Sequence, residues 1–149
     1  MLYKPRKRLE VGGIYKTKPQ LAMEIIEALL KLGFNFDLVL ADSLYGESPT
    51  FIAVFSKHKK HYLLAIRSNH REFSLPEQEA KYIVWQEFER KFSDGKSEKR
   101  YIQQINESES RLITYWRITT DPNNFPKNQT WYVKTDLKSD MAALLGNLY

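Results

Sequence analysis

At 149 residues and without a single cysteine, the chain is about one domain long and open to neither disulfide staples nor thiolate metal sites. Its composition, 42% hydrophobic and 28% charged with 9 Tyr, 8 Phe and 3 Trp, is that of a chain able to bury a core, which excludes a disordered one. No apolar run approaches the roughly 20 residues of a membrane span, and the basic stretch after Met1 leads into no apolar signal core. The expected setting is therefore a reducing cytoplasm. A net charge of +5 favours polyanions such as DNA. The charge gathers in three places: Lys4-Pro5-Arg6-Lys7-Arg8, Lys57-His58-Lys59-Lys60-His61 and Arg67-Ser68-Asn69-His70-Arg71. Taken singly, each reads as a solvated loop.

Residues 1–15 are basic, broken by Gly12-Gly13, and read as extended. Thr17 and Lys18 then precede Pro19, a residue suited to the first turn of a helix. Leu21, Ile25, Ala28, Leu29 and Leu32 share one helical face, and Gly33 supplies the stop. Phe36–Ala41 is a short, nearly continuous apolar run, the kind of strand buried on both faces of an α/β sheet, and it ends at Asp42. Ser43-Leu44-Tyr45-Gly46 reads as a turn, and Ser48-Pro49 as the cap and first turn of a second helix reaching about Lys57. Tyr62–Ile66 is another buried strand, so helix, strand, helix and strand predict a parallel α/β arrangement.

The character then changes. Arg71–Lys81 reads as a polar connection, and Trp85–Phe92 suits either a strand or a helix. Ser93-Asp94-Gly95-Lys96 is a hairpin turn, and Lys99–Ile105, Leu112–Thr119 and Thr130–Thr135 are strands, the last two separated by a turn at Asp121-Pro122-Asn123-Asn124. These are expected to pair antiparallel. Leu137–Leu148 is expected to open a helix.

Among residues able to carry chemistry, Asp42 stands first. A carboxylate at the C-terminal end of a parallel strand sits where α/β sheets hold ligands, and it suits a hard cation such as Mg²⁺. Spacing alone favours the plainer role, in which its side chain caps the following turn. Asp37 lies at the wrong end of the strand, and Glu47 reads as a loop residue or a neighbour of the site. His58, His61 and His70 lack a metal-ligand spacing with acidic companions. Neither a Ser-His-Asp arrangement nor a phosphate-binding or dinucleotide glycine loop is present. Arg67, Asn69, His70 and Arg71, following the second strand, are placed to hold DNA phosphates or a base edge, and Lys59 and Lys60 join them as candidate DNA contacts. Trp85, Trp116 and Trp131 suit stacking on unpaired bases, but aromatics in alternating strands are more often core.

Leu38-Val39-Leu40-Ala41-Asp42-Ser43-Leu44-Tyr45-Gly46 closely resembles the second-aspartate motif of DDE transposases from bacterial insertion sequences. Tyr15–Pro19, Ala65–His70, Phe92–Lys96 and Tyr115–Pro122 resemble that family as well, so the likeness runs through the chain and favours Asp42 as a metal ligand. The resemblance implies an α/β fold in which an incomplete ribonuclease H-like core (residues 1–70) is followed by a β-rich antiparallel insertion (71–136) and the start of a returning core helix (137–149). It also implies DNA at transposon ends as partner, Mg²⁺ or Mn²⁺ as cofactor, and action at the nucleoid of a bacterial cytoplasm. The family's site needs an earlier strand-borne Asp, a second Asp matched by Asp42, and a Glu in a motif of Tyr, two residues, Arg, three residues, Glu. Gly146-Asn147-Leu148-Tyr149 resembles only the opening of that motif. The chain is accordingly expected to be an internal fragment, to bind no metal stably, to be inactive alone, and to expose an unpaired sheet edge or an incomplete core. It would act with the missing parts of the transposase or a second subunit. A non-catalytic DNA-binding module is the alternative.

Overall fold

The computed structural model describes residues 3–69, 84–108, 110 and 112–138. The connection expected over 71–81 and all but the first two residues of the helix expected over 137–148 lie outside them. Helix α1 spans Lys18–Lys31 and opens on a capping box: the Thr17 hydroxyl accepts from the Gln20 N–H at 3.3 Å, and Gln20 Oε1 accepts from the Thr17 N–H at 2.8 Å. It ends where Gly33 takes φ +85° and the Phe34 and Gly33 amides donate to the carbonyls of Leu29 and Leu30, a Schellman closure. Strand β1 (Leu38–Ala41) follows, then α2 (Ser43–Gly46), α3 (Pro49–Lys57) and β2 (His61–Ile66). The stretch expected as a plain turn after Asp42 is thus a single helical turn. Ser48 caps α3 by accepting from the Phe51 N–H at 3.3 Å.

The remaining strands are β3 (Gln86–Lys91), β4 (Ser97–Glu107), β5 (Thr114–Thr119) and β6 (Thr130–Thr135). All six form one sheet in the order β1-β2-β6-β5-β4-β3, parallel between β1 and β2 and antiparallel elsewhere. Trp85–Phe92 resolves as a strand because its hairpin with β4 closes through Gly95 at φ +85°, with Asp94 accepting from the Lys96 N–H at 3.1 Å. The two sheet edges differ. Edge strand β3 reads Gln-Glu-Phe-Glu-Arg-Lys, a charged edge of the kind that resists pairing with other chains. Edge strand β1 reads Leu-Val-Leu-Ala, and among the described residues its outer side pairs with nothing.

Side-chain alternation sends two clusters to opposite faces. Tyr62 and Leu64 of β2, with Val39 and Ala41 of β1, face the helices and pack with Phe51 and Phe55 of α3 and with Ala22 and Ile26 of α1. Phe51 and Phe55 meet edge to face at 5.0 Å. Leu63, Ile102, Ile118 and Val133 form the other cluster, with Trp116, Trp131 and Leu137 against it, so those two tryptophans are core. Burial, reinforced by Asp136 and Tyr115 nearby, holds the Tyr62 phenol well above its ordinary pKa. The inward face of α1 is not the one expected. Leu21 is buried, but Ile25 and Leu32 remain 49% and 76% exposed, while Ala22 and Ile26 turn inward. Apolar residues nearly encircle this helix, and packing against α3 selected the stripe that meets its aromatic side.

Truncating Phe55, which is fully buried, should cost about 3–5 kcal/mol in urea unfolding of Phe55→Ala. Between α1 and α3, Lys57 Nζ lies 2.7 Å from Glu27 Oε1. The Lys57 hydrogen bond, ahead of its charge, holds the Glu27 carboxyl below the usual carboxylate range. A depressed folded pKa stabilises above the unfolded value, and that contribution is lost as pH falls through the folded one. Unfolding midpoints of wild type and Glu27→Gln should therefore differ near neutrality and converge in acid.

Candidate active-site corner

Strands β1 and β2 run in register from Leu38↔His61 to Ala41↔Leu64, after which β1 ends and β2 continues to Ile66. Asp42 stands at the point where β1 leaves the sheet, level with the C-terminal part of β2. It is the N-cap of α2: Oδ1 accepts from the Leu44 N–H at 2.9 Å, and its carbonyl accepts from the Gly46 N–H at 2.9 Å. The capping role favoured by spacing is therefore real. The residue is nonetheless exposed, and among the described residues Oδ2 has no hydrogen-bond partner.

The turn of helix fills the notch that β1 leaves beside β2. Gly46 is buried, and a Cβ built on it would collide with the Ala65 carbonyl oxygen. No side chain fits there, because both partners are backbone. Glu47 follows at once. Its Oε1 accepts from the Arg67 N–H at 3.2 Å, and its Oε2 lies 3.5 Å from Arg67 Nε. Glu47, expected as a loop residue or a neighbour of the site, is thus a tie between the two strand ends.

The candidate residues divide by position. Arg67 and Asn69 are exposed at the same end of the sheet as Asp42, whereas His70 and Arg71 lie outside the described residues. Lys59 and Lys60 precede β2, at the opposite end, roughly 20 Å away for six residues at about 3.3 Å each. Lys60 Nζ donates to Asn35 Oδ1 at 2.8 Å and lies 5.5 Å from the Phe36 ring centroid, so it braces the entry to β1. Lys59 takes the left-handed φ of 52° that closes α3. Asp37 is at that far end too, its carbonyl accepting from the His61 N–H at 3.0 Å. His58 lies 3.6 Å from Glu27, and His61 lies 3.2 Å from Asp136. Trp85 packs against Phe125 at 6.0 Å, with the Arg117 guanidinium 4.1 Å from the Phe125 centroid.

Among the described residues no group of three or more His, Asp or Glu side chains is arranged to hold a metal ion. Asp42 fits a single carboxylate ligand of a divalent cation and does not fit a complete site. The profile of the family described as DDE superfamily endonuclease matches residues 5–82, just over half of the chain. The "Probable transposase for insertion sequence element IS701" of Microchaete diplosiphon is 47% identical over 149 residues, which is 99% of this chain and 39% of that protein. The chain thus spans well under half the length of that relative.

The notch makes a direct prediction. Gly46→Ala forces α2 away from β2 and should destabilise the fold by about 1–3 kcal/mol, the cost of overpacking a fitted contact, read as a lower urea midpoint at unchanged slope.

Proposed function

The chain belongs to the DDE superfamily endonucleases, and we propose that it forms the second-aspartate corner of a DNA transposase that cuts and joins transposon ends. The observation that carries this reading is Asp42, exposed at the carboxyl end of a parallel strand and held there by its own cap. The mixed α/β sheet supports a ribonuclease H-like core over residues 1–70, with β1 and β2 as two of its parallel strands, and a β-rich insertion over 71–136. The uncharged, unpaired side of β1 suits a further strand from elsewhere in the transposase, since such an edge is otherwise a site of aggregation. A second transposase subunit is the other partner in this reading.

Asp42 serves as one ligand of a divalent cation, Mg²⁺ or Mn²⁺, which when bound supplies Lewis-acid stabilisation of charge on phosphodiester oxygens. The chain spans 39% of the length of its transposase relative, and in this reading the other carboxylates come from the rest of such a protein, the chain by itself being inactive. Arg67, Asn69, His70 and Arg71 take backbone phosphates beside Asp42, and Lys59 and Lys60 meet the DNA at a separate stretch. Binding of this kind positions the DNA without reading its sequence. Among the described residues no helix is long and apolar enough to cross a membrane. In this reading the protein works at the nucleoid.

In a transposase containing this segment, Asp42→Ala should abolish end cleavage with Mg²⁺ while leaving DNA binding intact. Arg67→Ala should weaken binding and reduce the slope of log K against log salt by about one. Cleavage undiminished in Asp42→Ala would sink the assignment.

A further inference from the structure

From the way α2 is seated we infer that Glu47 is a positioning residue for Asp42, acting through the helical turn between them. The inference rests on the reading of Asp42 as a metal ligand, but its geometry is independent of it. Past Ala41 the β1 side of β2 loses its ladder, and the Arg67 N–H just beyond β2 bonds instead to the Glu47 carboxylate. A hydrogen bond from a backbone amide to an ionised acceptor is stronger than a neutral one. The accompanying Arg67 Nε contact, at 3.5 Å with the Arg67 side chain 62% exposed, adds little by comparison.

Glu47 immediately follows Gly46 and is the C-cap of α2. Asp42 is the N-cap of the same four-residue turn. A turn this short has no stability of its own, since helix nucleation is unfavourable. Its place is set from outside, by Gly46 against the Ala65 carbonyl and by Glu47 on the Arg67 amide. Releasing Glu47 frees one end of the turn, and the bond from Leu44 N–H to Asp42 Oδ1 at the other end is the one that orients the carboxylate. Arg67 is thereby shared between Glu47 and any phosphate it meets, which links occupancy beside the site to the seating of α2.

Amide hydrogen exchange on the 149-residue chain tests this. In Glu47→Ala the Arg67 and Leu44 amides should both exchange several-fold faster than in wild type. The Gly95 amide of the β3–β4 turn and the paired amides of β4 and β5 should keep their rates. Glu47→Gln, which retains a side-chain oxygen as acceptor, should restore most of the protection at both positions. Faster exchange at Arg67 with Leu44 unchanged would overturn the inference, as would equal acceleration across the whole sheet, which marks loss of stability alone. Because exchange reads the cap and not cleavage, failure here is distinct from failure of Asp42→Ala to abolish activity.

Discussion

Everything at the Asp42 corner depends on how closely the backbone of α2 approaches the backbone of β2. The parallel pair is unequal, four residues in β1 against six in β2, so the longer strand is left with open backbone groups where the shorter one turns away. A connection that wandered off into solvent would leave that notch unfilled. Instead the chain coils once and lays Gly46 against the Ala65 carbonyl, at a separation that only a residue without a Cβ permits. The Asp-Ser-Leu-Tyr-Gly stretch can be understood from this contact. Asp42 starts the coil, Gly46 seats it, Tyr45 covers Phe51 at 5.3 Å, and the following Glu47 completes the missing ladder.

The same sheet joins this corner to the β-rich half without a seam. β6 lies directly between β2 and β5, pairing with Leu63–Ile66 on one side and with all of β5 on the other. At its end the Thr135 hydroxyl donates to the Tyr62 carbonyl at 2.6 Å, and Asp136 accepts from the Tyr62 N–H at 3.0 Å. Both side chains secure the first residues of β2, the end remote from Asp42. β2 is therefore held along its length: by β1 and α2 on one side, by β6 on the other, and by Thr135 and Asp136 at its start. A strand fixed on both sides is a firm base from which to present Arg67 and, through α2, Asp42.

Local features were the legible ones. Thr17 and Pro19 mark the start of α1, Gly33 its end, Ser48-Pro49 the start of α3, and Asp94-Gly95 the hairpin, because each acts within a few residues through caps or a left-handed φ. The apolar run before Asp42 was legible as a strand but not as an edge: expected to be buried on both faces, β1 lies at the end of the sheet with Leu40 50% exposed. What escaped was decided by distant partners. Nothing near β6 announces that it pairs with β2, some seventy residues earlier, rather than only with its hairpin neighbour. α1 offers two apolar stripes, and only the position of α3 chooses Ala22 and Ile26 over Ile25 and Leu32. The basic clusters look alike on paper, yet a strand's length separates Lys59 and Lys60 from Arg67, since one precedes β2 and the other follows it.

The cap observed at Asp42 and the ligand role proposed for it do not compete. A carboxylate has two oxygens, and an N-cap needs one. With Oδ1 committed to the Leu44 N–H, the side chain has already given up the rotamer freedom that a cation would otherwise have to remove. Preorganisation of that kind is what a metal ligand requires, and a neighbouring structural role is an economical way to obtain it. Spacing cannot separate a capping aspartate from a ligating one, because the geometry that produces the first is also the geometry that prepares the second. Exposure bears on the proposed second role: a capping aspartate can be covered by its surroundings, whereas Asp42 is exposed at the carboxyl end of a parallel strand, where α/β sheets hold ligands.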